Sequence, residues 1–213
     1  RREWRIAIYR LGVKKYPMCY AVHRALDGVL DLLKANSVAP DEVDQIDVLL
    51  GEKQAAILRN HRHQTGLEAK LSIEFAMAAA LVAGRVGLAE LSDPFVLRSD
   101  VQRLMARVRV ELIAESGGEE SIFSPFDQVS LRLKGGRTLT GERVEAARGD
   151  RVQPLSRQEL WMKFQDCLAY GGHDGDEARK LFEALDRLEA LDSVAALPSL
   201  MSESPRFMEH AEA

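Results

Sequence analysis

Gln128-Val129-Ser130-Leu131-Arg132-Leu133, then Lys134-Gly135-Gly136-Arg137, then Thr138-Leu139-Thr140 is the stretch whose reading decides the fold. Val129, Leu131 and Leu133 alternate with polar residues, so an extended chain here has one apolar and one wet face. Two consecutive glycines supply the turn, because glycine takes up the positive φ values that tight hairpin loops require. Thr138, Thr140 and Val144 carry the pattern onward, which predicts a β-hairpin over residues 128–133 and 138–146. One-sided wetting of this kind belongs to an antiparallel sheet whose other face is covered.

Reading outward, residues 43–50 place Ile46, Val48 and Leu50 on one side of a second strand, and residues 108–114 alternate as a third. Residues 4–11, Trp-Arg-Ile-Ala-Ile-Tyr-Arg-Leu, partly alternate and also read as a strand. Pro17 suits a first helical turn. Val22, Leu26, Val29, Leu30 and Leu33 then recur at helical spacing to about Lys34. Residues 52–67 are polar and mixed, with loop chemistry from His61 to Gly66. Residues 71–83 are apolar around most of the circumference, as in a helix buried within a domain. A short helix is expected at residues 100–107.

After Pro154 the pattern becomes helical alone, at residues 157–170 and 176–191, with Gly171-Gly172 between and a polar tail beyond Pro205. The fold class is therefore α+β, an antiparallel-type sheet with packed helices over residues 1–152. A C-terminal helical segment follows over residues 153–213. Those last helices carry more apolar stripe than a free tail needs, so they are expected to pack on a further domain. The chain starts at Arg1 in mid-pattern, without Met, and reads as an excerpt of a longer one.

A chain of 213 residues, 46% hydrophobic and 29% charged, with a net charge of -4, has the composition of a soluble globular protein. Its basic residues are scattered, which argues against nucleic acid as a partner. No stretch has the length and purity of a membrane span, and no signal-peptide pattern opens the chain. Cys19 and Cys167 match no disulfide framework, so a reducing cytoplasm is the expected location.

Lys14-Lys15-Tyr16-Pro17-Met18-Cys19-Tyr20-Ala21-Val22-His23 concentrates reactive side chains at the mouth of a helix. An ammonium there, with the helix dipole, suits a substrate carboxylate. Cys19 and His23, four apart, are expected on one helix face, and a histidine there suits proton transfer near neutral pH. The same residues also fit an exposed Lys pair, a buried Cys and a His filling a helix–sheet contact. Cys19, His23, His61 and His63 have the donor types for zinc, though not the spacing of a finger. Further along, Lys70 is either a second cation for a polycarboxylate or a partner for Glu68 or Glu74, with Ser72 beside it in the first turn. Nucleophile elbows, phosphate-binding loops and dinucleotide fingerprints are absent.

In order along the chain, five segments resemble the C-terminal half of MmgE/PrpD proteins. Lys14 to His23 is similar to that family's K-x-[YF]-P-x-C-x-x-x-H pattern. Gly66-Leu67-Glu68-Ala69-Lys70-Leu71-Ser72-Ile73-Glu74-Phe75 resembles its GLEAKFS helix, with Leu71 where Phe is usual. Ala83-Gly84-Arg85-Val86-Gly87-Leu88 resembles its DGRVGL turn, with Ala83 in place of Asp. The Gly135-Gly136-Arg137-Thr138-Leu139 and Pro154-Leu155-Ser156-Arg157 segments resemble the late hairpin and the start of the terminal helices.

The resemblance implies a fragment of a cofactor-independent lyase or isomerase acting on a small polycarboxylate by acid–base proton transfer, as 2-methylcitrate dehydratase does. It also implies a site shared with an N-terminal helical domain, and a homodimer. In that frame Lys14 and His23 are the expected catalytic residues. Tyr16, Cys19, Lys70, Ser72 and Phe75 are expected to bind substrate, with no metal and no cofactor. Cys19 stands where cis-aconitate decarboxylase has His, and Phe75 where it has Tyr, which weighs against decarboxylation. The alternative is a catalytically inactive remnant serving as a binding or dimerisation module.

Overall fold

A computed structural model describes residues 4–9, 11–113, 123–173 and 176–197. The chain divides into two compact units, Arg1–Pro154 and Leu155–Ala213. The expected end of the third strand at Ala114 and the tail beyond Pro205 lie outside the described residues.

In the first unit the helices are α1 (Arg5–Tyr9), α2 (His23–Ala35), α3 (Glu52–Ile57), α4 (Gly66–Ala69), α5 (Ile73–Ala83), α6 (Asp93–Val96) and α7 (Ser99–Met105). The strands are β1 (Val43–Gly51), β2 (Val108–Ile113), β3 (Gln128–Leu133) and β4 (Thr138–Thr140), in sheet order β2-β1-β3-β4. The α+β class holds. β1 pairs antiparallel with β3, Ile46 opposite Leu131, and β3 antiparallel with β4, Leu131 opposite Leu139. β1 and β2 run parallel, Ile46 opposite Val108, which makes the sheet mixed. The long helical passage from α3 to α7 is the crossover that a parallel pair requires.

The hairpin turns as its glycines predict. Gly136 has φ +81°, its amide donates to the Leu133 carbonyl at 2.8 Å, and Leu133 donates to Arg137 at 2.8 Å. β4 ends at Thr140, sooner than expected. The Gly141 amide still reaches the Val129 carbonyl at 2.9 Å, and Val144 forms an isolated bridge with Asp127.

α2 lies on β3 and α5, and α5 in turn packs on α7. Val29, Ile46, Val48, Leu50, Phe75 and Leu131 are fully buried between helices and sheet, and each large one stabilises the fold by about 1.5–3 kcal/mol. α5 is buried nearly all round, as its composition predicts. Ser72 caps its start and Gly84, at φ +67°, ends it in the left-handed conformation that a side chain would strain.

One expectation is corrected. Where a strand is expected over residues 4–11, Arg5–Tyr9 is a single helical turn, with Ala7 and Ile8 donating to the Trp4 carbonyl at 2.9 and 3.2 Å. Alternation marks a strand where a sheet edge exists to receive it. Among the described residues none pairs here, and Trp4, Ile6 and Ile8 stand exposed.

In the second unit, α8 (Arg157–Tyr170) starts at a capping box formed by Ser156 and Glu159. α9 (Asp176–Leu185) is shorter than its apolar stripe suggests, and a 3-10 turn takes over at Leu188–Ala190. Trp161, Phe164 and Phe182 pack together, with ring centroids 5.2 to 6.3 Å apart. No helix among the described residues is long and apolar enough to cross a membrane.

Candidate functional site

Lys14, Tyr16, Cys19 and His23 lie at the entry to α2, and the Lys70 carbonyl joins them through the Cys19 amide. Lys14 is exposed, and its ammonium donates to the Met18 carbonyl at 3.2 Å, which closes the Lys14 to Met18 bend. Tyr16 and Met18 point inward and are buried, at 3% and 2% exposure. That alternation lifts Lys14 outward while its neighbours anchor the bend.

Tyr16 donates its hydroxyl to Asp27 at 2.7 Å. The Asp27 carboxylate also accepts from the Arg148 amide at 2.7 Å and its guanidinium at 3.3 Å. Burial, and then the Asp27 charge, push the Tyr16 phenol far above its ordinary value. It is held as a neutral donor. Tyr20 donates to Asp150 at 2.8 Å, and burial followed by that bond pushes it up to about 12. His23 is wholly buried between these rings, 5.2 Å from Tyr16 and 5.1 Å from Tyr20 by centroid. A histidine so covered supports the wall and does not face solvent.

The segment carrying Arg148, Gly149 and Asp150 clamps this bend from outside. Val13 donates to the Gly149 carbonyl at 2.7 Å, immediately before Lys14. Three ties, through Val13, Tyr20 and Asp27, therefore fix the chain on either side of the exposed ammonium.

Cys19 is not on a helix face with His23. Its φ and ψ of -56° and 136° are extended, and a 3-10 turn over Tyr20–Val22 precedes α2. Cys19 stands as the cap of that turn, and its amide donates to the Lys70 carbonyl at 3.0 Å. The same bond brings the two sequence motifs together, which spacing alone could not show.

Beyond Lys70 the chain turns into the core. Ser72 is fully buried; its hydroxyl accepts from the Phe75 amide at 3.1 Å and donates to Glu74 at 3.0 Å. Phe75 is fully buried, edge-on to His63 and Phe95 at 5.5 and 6.4 Å. Both hold α5 in place from inside the core. Of the zinc candidates, His61 pairs with Glu74 at 2.7 Å while His63 lies buried against Phe75. Among the described residues no three potential ligands converge.

Sequence reading missed the charged network beneath the bend. Arg24 reaches Asp127 at 2.5 Å, Gln54 at 2.9 Å and Ser124 at 3.0 Å, all buried. Gln54 adds bonds to Asp127 at 2.8 Å and to the Ala21 carbonyl at 2.6 Å. Burial pushes the Asp127 carboxyl up, opposed by the Arg24 charge and by bonds from Gln54, Arg24 and Ser124. One signal was available: Arg24 and Asp27 stand inside the apolar run of α2, where a charge requires a partner.

A family model described as MmgE/PrpD C-terminal domain matches residues 16–187. The match opens at Tyr16, so Lys14 lies two residues before it. No curated protein matches the chain.

Proposed function

Because the chain belongs to the MmgE/PrpD family, we propose that it supplies one wall of a lyase or isomerase active site. That site acts on a small polycarboxylate, in the manner of 2-methylcitrate dehydratase. The observation that carries the reading is Lys14, an exposed ammonium whose backbone is tied on both sides. Withdrawing a proton next to a carboxylate builds enolate-like charge, and a fixed cation stabilises it without reorganising. A lysine so placed either binds that carboxylate or carries the proton. In a hydro-lyase the lost proton and the neighbouring hydroxyl leave together as water, so no redox partner is consumed.

Lys70 comes to the same wall through its backbone bond to Cys19, and is assigned as a second carboxylate contact. Tyr16, Cys19, His23, Ser72 and Phe75 shape the wall from behind. The acids and bases of the opposite wall come from the family's helical domain. The free cysteines, Cys19 and Cys167, suit a reducing cytoplasm.

The test assays the chain together with that helical domain against 2-methylcitrate, citrate and cis-aconitate, following the unsaturated product by ultraviolet absorbance. The chain alone is expected to be inactive and the combination active. Lys14→Ala should reduce kcat by about a hundredfold or more with an unchanged circular dichroism spectrum. Undiminished kcat in that variant overturns the role of Lys14.

A further inference from the structure

His61 ends a chain of oriented polar groups that starts inside the core. The Ser72 hydroxyl accepts from the Phe75 amide at 3.1 Å, and its own proton goes to the Glu74 carboxylate, 3.0 Å away. The other oxygen of that carboxylate faces His61 Nδ1 at 2.7 Å. A carboxylate only accepts, so Nδ1 carries the imidazole proton and the lone pair stands on Nε2. Ser72 is fully buried, the Glu74 side chain is 16% exposed and the His61 side chain 64%. The chain of bonds thus runs outward from the core and ends on a basic nitrogen at the surface.

The backbone carries that nitrogen to the wall of Lys14 and Lys70. The Cys19 amide donates to the Lys70 carbonyl at 3.0 Å, and the next carbonyl, that of Leu71, accepts from the Asn60 amide at 3.3 Å. The Asn60 side chain also donates to the Glu68 carbonyl at 2.8 Å. Lys70 and Leu71 are therefore bonded to the Lys14 to His23 bend through one carbonyl and to the His61 loop through the other. An ordinary exposed ion pair contributes about 1 kcal/mol or less and orients nothing. This one has its carboxylate fixed from within the core, and its histidine follows directly on the residue that holds Leu71.

We propose that His61 is a catalytic base of this wall, working at Nε2, with Glu74 and Ser72 as its positioning residues. The inference rests on the polycarboxylate reading above and deepens it. Nε2 takes the proton next to the substrate carboxylate. The electron pair of that C–H bond forms the C=C bond, and the C–O bond of the neighbouring hydroxyl breaks. The imidazolium gives its proton to the departing hydroxide, which leaves as water. The ring returns to its starting form, and nothing is oxidised or reduced. Glu74 holds the ring in the tautomer that this step needs and offsets the positive charge that forms on it. Lys14 and Lys70 then bind carboxylate and stabilise the developing enolate-like charge, while the proton belongs to His61.

Nitrogen NMR of the whole chain with isotope-labelled histidine tests the geometry. The His61 signals, identified by their loss in His61→Ala, should place the proton of the neutral ring on Nδ1; a ring protonated on Nε2 overturns the proposal. Turnover by the chain together with the helical domain, on the same acids, tests the chemistry. His61→Ala should lower kcat by about a hundredfold with KM nearly unchanged. Added imidazole should restore much of the lost rate, because a free base then supplies the missing nitrogen. Glu74→Gln keeps an acceptor for Nδ1 but not the charge, and should lower kcat by about tenfold. Undiminished kcat in His61→Ala, or a loss that imidazole does not restore, overturns this inference alone if Lys14→Ala still collapses turnover. A wild-type combination that turns over none of the acids overturns the polycarboxylate reading and this inference with it.

Discussion

Tyr20 and Asp150, 130 positions apart, are joined by a hydrogen bond of 2.8 Å that ties the entry of α2 to the segment clamping Lys14. The bond exists while the phenol keeps its proton. Its folded value is raised from 10.0 to about 12, by burial first and by Asp150 next. A raised group contributes stability that is fully present below its unfolded value and lost as pH climbs through the folded one. Urea unfolding from about pH 9 to about pH 12 should therefore show wild type losing more stability than Tyr20→Phe. Parallel losses in the two proteins would remove the titration from this bond.

Asp127 neutralises Arg24 inside the fold at 2.5 Å. Asp127→Asn leaves the guanidinium buried with neutral partners and should cost about 3–5 kcal/mol in denaturant unfolding. The double variant Arg24→Met, Asp127→Leu should recover much of that loss, since removing both charges removes the desolvation penalty. A double variant no better than the single one would show that the network contributes more than charge balance.

Gly66 stands where a Cβ would lie 1.5 Å from the Leu91 carbonyl oxygen, while its amide donates to Asp93 at 2.7 Å. Gly66→Ala must push apart two backbones, so a loss of about 3 kcal/mol or more is expected. A thermal midpoint unchanged from wild type would mean that the α4 entry relaxes freely.

His63 is buried against Phe75, and that burial pushes its imidazole below the ordinary 6.5, against opposing effects from Asn60, Glu74 and Glu68. A lowered group contributes stability present above its unfolded value and lost as pH falls toward the folded one. Between about pH 7.5 and about pH 5, wild type should lose more stability than His63→Leu. Equal losses would place the acid sensitivity elsewhere.

Local chemistry was legible wherever it was self-sufficient. The hairpin glycines, the buried alanine-rich α5 and the extent of α8 follow from spacing and turn residues, which act over a few positions. Arg5–Tyr9 was not legible, because alternation is shared by any chain and becomes a strand only beside a free edge. The meeting of Cys19 with Lys70 was hidden for a related reason, since the two stand 51 positions apart.

The sequence by itself determined the α+β class, the principal elements and the residues of the Lys14 to His23 bend, because periodicity and turn chemistry are properties of neighbours. Tertiary structure alone decided that Lys14 faces outward while His23 is buried between Tyr16 and Tyr20. It also decided that β1 and β2 run parallel and that Arg24 finds Asp127. Each of these depends on which distant backbone group or charge meets the residue across the core, and hydrogen bonds and burial between distant segments leave no trace in local spacing.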